Sequence, residues 1–234
     1  MIETSELVAP EPQPFRELAA LREIARLPTY FTRLRGEPRG NVKVLVVPGF
    51  MTGDGSTWVL RQVLRSLGHR VFGWGLGRNR GDVEELLPRL SRRLEELSRD
   101  EPVHLIGWSL GGYLAREVAR DAPDRVAQVI TLASPVIGGP KYTVAANYYQ
   151  ERGIDLDSLA ADIAEREDVP LKVPVTALYS PNDAVVCPAA CIDPYNAVDH
   201  IPIDCAHAGF GFSPEVFAIV AARLAARPWK RDGS

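Results

Sequence analysis

Two hydrophobic rhythms alternate along this chain. Mainly aliphatic runs at 42–47, 103–106, 126–132 and 173–179 predict strands buried on both faces, as in a parallel sheet. Shorter runs at 70–74 and 200–203 predict two more. Between them, apolar residues recur at helical spacing over 57–67, 82–99, 110 to near Pro123, and 214–226. The 82–99 segment shows it best, with leucines at 86, 90, 94 and 97. Ser56 is the expected cap of the 57–67 helix, and Gly68 its stop. Strands alternating with helices imply βαβ units, hence a mostly parallel central sheet flanked by helices.

Two segments stand outside that rhythm. Residues 1–14 are acidic and rich in proline and predict a flexible arm. Phe15, Leu18, Leu21, Ile24 and Leu27 then recur at near-helical spacing. They predict an amphipathic helix over 15–34 that packs on the body by this face, with Pro28 ending or kinking it. A membrane-surface helix would want a lysine-rich polar face; this one mixes Arg and Glu. Residues 137–171 separate two strands by more than a crossover needs. They carry three tyrosines and a run of acids from Asp155 to Asp168, and predict a short cap over the strand ends.

Length and composition narrow the function classes. The 234 residues suit one domain. A net charge of -3 gives no basic field for nucleic acid. No apolar run nears the roughly 20 residues of an integral membrane segment. The start lacks the basic and apolar regions of a secretory signal, so a cytoplasmic location is expected. Cys187, Cys191 and Cys205 have no zinc-like spacing and are expected to be reduced structural thiols; neither a metal nor another cofactor is expected.

The chemistry centres on Gly107-Trp108-Ser109-Leu110-Gly111, a G-x-S-x-G pattern between a strand and a helix. In such a turn the serine hydroxyl is lifted above the sheet, and glycines avoid collisions where backbones crowd. A serine needs a base, and the base a group that holds it in the right tautomer. Functional residues of an open α/β sheet gather just after its strands. Asp183 follows one strand and His207 the last, giving the order Ser109, Asp183, His207. His69, His104 and His200 sit at strand starts, and Asp193 and Asp199 fit this strand-end position less well. The expected oxyanion donors are the backbone amides of Leu110, after the serine, and Phe50, after the first strand.

These motifs resemble those of the α/β-hydrolase superfamily, and within it the compact bacterial esterases and lipases. The resemblance rests on Val47-Pro48-Gly49-Phe50, on 73–79, on Gly107 to Gly112, on 180–186, and on Ala206-His207-Ala208-Gly209. Pro48 stands where many members have histidine. The resemblance implies the α/β-hydrolase fold with a short cap, and hydrolysis of carboxylic esters through an acyl-enzyme, without a cofactor. The expected partner is a small-molecule ester with an apolar acyl or aromatic group. Trp108, Met51, Tyr142 and Phe210 are the candidate pocket residues, with Phe50, Tyr148, Tyr149 and Phe212 beside them. A thioesterase or acyl-carrier ester hydrolase is the alternative and would want a basic mouth, for which Arg78, Arg80 and Lys141 are candidates. A non-catalytic binding module is the remaining reading, against which the complete triad argues.

Overall fold

The computed structural model describes residues 7–226. Six strands form one all-parallel sheet: β1 (Lys43–Val47), β2 (Arg70–Gly73), β3 (Val103–Trp108), β4 (Val126–Leu132), β5 (Val175–Tyr179) and β6 (Val198–Pro202). Their order is β2-β1-β3-β4-β5-β6. The chain leaves β1 toward one edge and returns on its other side as β3. That reversal opens a crevice between the carboxyl ends of β1 and β3, where ligands bind in such sheets.

Helices cover both faces. They are α1 (Pro14–Glu17), α2 (Ala20–Arg33), α3 (Trp58–Ser66), α4 (Val83–Leu97), α5 (Leu110–Asp121), α6 (Ala146–Gln150), α7 (Leu156–Arg166) and α8 (Pro214–Ala226). Alternation along β1 divides the core. Val44 and Val46 face α3 and α8 (Leu60, Leu64, Phe217, Val220). Leu45 and Val47 face α4 and α5 (Leu90, Leu94, Leu114, Val118). The segment 137–171 supplies α6, α7 and a 3₁₀ turn, Gly139–Tyr142.

Some expectations are corrected. The helix runs on through Pro28 to Arg33. Pro28 lies on the exposed side, where solvent can satisfy the carbonyl its missing N–H leaves without a donor. The α1–α2 stripe is turned outward: Phe15 is 85% exposed and Leu21 59%, while Ala20, Glu23 and Tyr30 are buried. Tyr30 packs on Phe217, with ring centroids 5.8 Å apart. Ser56 caps nothing. Thr57 is the N-cap of α3, and Ser56 Oγ donates to the Gly53 carbonyl at 2.9 Å. Residues 1–6 of the expected arm lie outside the described residues, and 7–13 form no helix or strand.

A buried ion network ties α5 to the end of the cap. Arg116 donates to Asp193 (2.7 Å) and to Glu167 (3.2 Å), and Arg120 lies 2.8 Å from Glu167. Glu167 also accepts from Asn196 Nδ2 at 2.8 Å. Arg166 spans Glu117 and Asp121, each at 2.8 Å. Asp193 is thereby a structural acid, and Asp199 pairs with Arg223. Arg116→Met leaves the buried Asp193 without its cation and Glu167 with Arg120 alone, and its denaturation midpoint should report a loss of about 3–5 kcal/mol.

His104 on β3 is fully buried, with Gln128 Nε2 2.9 Å from its Nδ1. Burial first, then neighbouring His69, pushes its pKa down from 6.5 to about 4. Unfolding therefore takes up a proton below pH 6.5. Stability is undiminished above that value and falls as pH drops toward 4, by roughly 3 kcal/mol. Denaturation between pH 7 and 4 should show this slope in the wild type and a flatter one in His104→Gln.

Candidate active site

Ser109 sits between β3 and α5 with φ 53° and ψ -126°. A side chain rarely adopts such a backbone, and it persists only where the surroundings hold it. Here the Ser109 amide donates to the Leu132 carbonyl at 2.7 Å, and the Gly112 amide to the Ser109 carbonyl at 2.9 Å. The turn also needs bare backbone around it. A Cβ on Gly107 would lie 2.3 Å from the Gly111 carbonyl oxygen. One on Gly111 would lie 2.3 Å from that of Val47, at the end of β1.

Asp183 and His207 meet as the sequence order suggested. His207 Nδ1 and Asp183 Oδ2 are 2.7 Å apart. A carboxylate accepts, so Nδ1 carries the proton and Nε2 is left with its lone pair. The amides of Val185 and Val186 both donate to Asp183 Oδ1 at 2.8 Å, fixing the carboxylate. Ser109 and His207 line the same cavity, and the Trp108 ring lies 6.0 Å from the imidazole. His200 accepts from the Asp193 amide at 2.9 Å and serves that loop instead.

The cavity has a volume of about 400 Å³. Gly49, Phe50 and Leu110 form its wall beside Ser109; Val144, Leu159 and Ile163 of the 137–171 segment roof it. Leu110 is the first residue of α5, where a backbone amide has no acceptor within the helix. Tyr149 anchors the roof by donating to the Gly81 carbonyl at 3.2 Å, and burial pushes its phenol up to about 12. Phe50 stacks edge-on against Tyr148 at 4.9 Å.

Of the four candidate pocket residues only Trp108 lines this cavity. Phe210 is wholly buried in the core, because the 3₁₀ turn His207–Gly211 points it inward. Met51 is 40% exposed on the loop's outer side. Tyr142 lines a separate hollow with Ile137 and Tyr195. Phe50 and Tyr149 do line the cavity, whereas Tyr148 and Phe212 do not. Arg78 and Arg80 are exposed outside it, and Lys141 pairs with Asp157 at 2.5 Å. Cys205 is a poor nucleophile, since burial raises its thiol far above the usual range. Among the described residues, no group of three or more His, Cys, Asp or Glu side chains is placed to hold a metal ion. No helix there is long and apolar enough to cross a membrane.

A family model for the alpha/beta hydrolase fold matches residues 77–161. Among solved structures, a monoacylglycerol lipase of Paleococcus ferrophilus superposes with a TM-score of 0.56 at 17% identity, covering 81% of this chain and 97% of that one. The chain has the α/β-hydrolase fold. A pimeloyl-[acyl-carrier protein] methyl ester esterase of Citrobacter koseri is 32% identical over 129 residues, 48% of this chain and 50% of that enzyme. One from Aeromonas hydrophila subsp. hydrophila is 40% identical over 62 residues, 26% of this chain and 24% of that enzyme. The chain thus spans half the length of the first relative and a quarter of the second.

Two supporting residues of this hydrolase fold escaped the sequence reading. Asp54 accepts from the amides of Trp74 (3.0 Å) and Gly75 (3.1 Å). Asn79, fully buried, donates to the Pro48 carbonyl at 2.9 Å and accepts from the Gly81 amide at 3.2 Å. Its backbone carbonyl takes the Met51 amide at 2.6 Å. Together they clamp the 48–54 loop against 74–81. Both belong to glycine-rich stretches, where a polar residue able to bridge two loops was the available signal. Asn79→Ala leaves the Pro48 carbonyl without this donor, and chemical denaturation should register a loss of about 1–3 kcal/mol.

Proposed function

We propose that this protein hydrolyses carboxylic esters through an acyl-enzyme formed on Ser109. The observation that carries the reading is the His207–Asp183 hydrogen bond beside the cavity that Ser109 also lines. Bound ester brings its carbonyl carbon to Ser109 Oγ. His207 Nε2 takes the hydroxyl proton as the C–O bond forms, and Asp183 steadies the resulting imidazolium. The carbonyl oxygen, now an oxyanion, accepts from the Phe50 and Leu110 amides, which are held in place before the reaction starts. His207 returns the proton to the leaving alcohol. Water then enters, gives a proton to the same nitrogen, and attacks the acyl carbon; release of the acid restores Ser109.

The mostly apolar cavity suits a short or medium acyl chain. The curated relatives, named as esterases of a methyl ester, support the reaction class. Their names also favour a narrower second reading, an ester carried on an acyl-carrier protein. Arg78 and Arg80 are the exposed basic groups that an acidic carrier would meet. Turnover of carrier-bound and free methyl esters at low and high salt separates the two.

Wild-type protein should turn over p-nitrophenyl butyrate and label with a fluorophosphonate. Ser109→Ala should lose the label and at least about 10⁴-fold in kcat, and Asp183→Asn about 10³- to 10⁴-fold with labelling slowed. Retention of wild-type turnover by Ser109→Ala would sink the mechanism.

A further inference from the structure

One group in the cavity is unused by this mechanism. Glu17, at the end of α1, is the sole carboxylate among the described residues that line the cavity. It comes from the far end of the chain, 191 residues from the residue it touches. Its Oε2 accepts from the Ala208 amide at 2.7 Å, directly beside His207. Its Oε1 is buried and has no partner. A buried charged oxygen without a donor is costly, and native structures keep one where it has a use. Trp108, another cavity residue, has its indole Nε1 buried without a partner.

We infer that Glu17 determines specificity: its Oε1 accepts a hydrogen bond from a hydroxyl that the ester carries near its scissile bond. The inference rests on the ester-hydrolase reading above and names its substrate class. The Ala208 tether fixes the carboxylate, so the free oxygen is held ready rather than recruited. A hydroxyl suits the place better than an ammonium group, because it enters a largely apolar cavity without the desolvation penalty of a charge. It also brings a lone pair for a donor such as the Trp108 indole. A substrate carboxylate meets like charge and is rejected. The preference is therefore for hydroxylated esters over plain ones, and for plain ones over acidic ones.

Kinetics on matched esters tests this. The pairs are ethyl butyrate with 2-hydroxyethyl butyrate, and methyl butyrate with methyl 3-hydroxybutyrate, so that the hydroxyl is offered on either side of the scissile bond. Monomethyl succinate is the acidic member, and acid release is followed by titration. In the wild type, kcat/KM should favour one hydroxylated partner by about 10- to 100-fold. In Glu17→Ala that ratio should collapse toward one while monomethyl succinate gains relative to methyl butyrate. Glu17→Gln keeps an acceptor for the Ala208 amide and removes the charge. It should stay folded, keep part of the hydroxyl preference and lose the discrimination against the acid.

A uniform loss on every ester in both variants, with ratios unmoved, would make Glu17 only a tether of the histidine turn and overturn the inference. So would a wild type indifferent to the hydroxyl. A wild type that neither labels with fluorophosphonate nor cleaves any of these esters marks failure of the ester reading itself.

Discussion

Everything around the cavity depends on a close approach of backbones at Ser109. β1, β3 and the first turn of α5 meet with no side chain between them, because Gly107, Gly111 and Gly112 leave none. A Cβ at Gly112 would fall 1.9 Å from Ser134 Oγ. The contact of Gly111 with the Val47 and Pro48 carbonyls sets how far the serine stands from the 48–54 loop. The unusual backbone at Ser109 costs on the order of 1–3 kcal/mol. It is held by the Leu132 carbonyl on the neighbouring strand, so the sheet itself keeps the turn in place.

The scaffold then fixes two further bodies against that turn. The first is the loop after β1, clamped by Asn79 and Asp54 to the segment after β2. The buried Asn79 and the half-buried Asp54 bond to backbone on the facing segment, and so hold this loop rigid. The second is the cap. Its C-terminal end is tied to α5 through Arg116, Arg120 and Glu167, all nearly inaccessible to solvent. Removing any one partner leaves a buried charge, so these groups hold together or fail together. The helix that carries the serine and the segment that roofs it are thus joined on the side away from the cavity.

The sheet was legible because parallel strands buried on both faces are mainly aliphatic. The run at 126–132 even begins and ends where β4 does. The meeting of Asp183 with His207 was legible because both follow strands, and the ends of parallel strands gather at one edge of the sheet. Pocket lining was not. Phe210 neighbours His207 in sequence, yet one turn of 3₁₀ helix sends it into the core. Adjacency along the chain says nothing about which way a turn points. Helical periodicity has a similar blind spot. It reveals that α2 has two faces but not which of them meets the body, and Pro28 marks a break only where its missing N–H would have been buried.

The phase of α1 and α2 follows from a packing argument that sequence does not contain. Leu27 and Tyr30 dock on the side of the core formed by α8, with Tyr30 against Phe217. A helix is rigid over this length, so the same face must carry Ala20 and Glu23 inward farther back along it. That direction ends at the His207 turn: Glu23 lies close to Gly209, and Glu17 reaches the Ala208 amide. Leu21 is two positions before Glu23, about 200° around α2, and so points to solvent, while Leu18 lies exposed in the turn between α1 and α2. Rotating the pair to bury Phe15, Leu18 and Leu21 would gain roughly 1.5–3 kcal/mol for each side chain fully buried. It would also pull Tyr30 off Phe217 and withdraw both acids from the active-site end. Aromatic docking at one end of the segment thus delivers a carboxylate to the cavity at the other, and the exposed stripe is the geometric consequence.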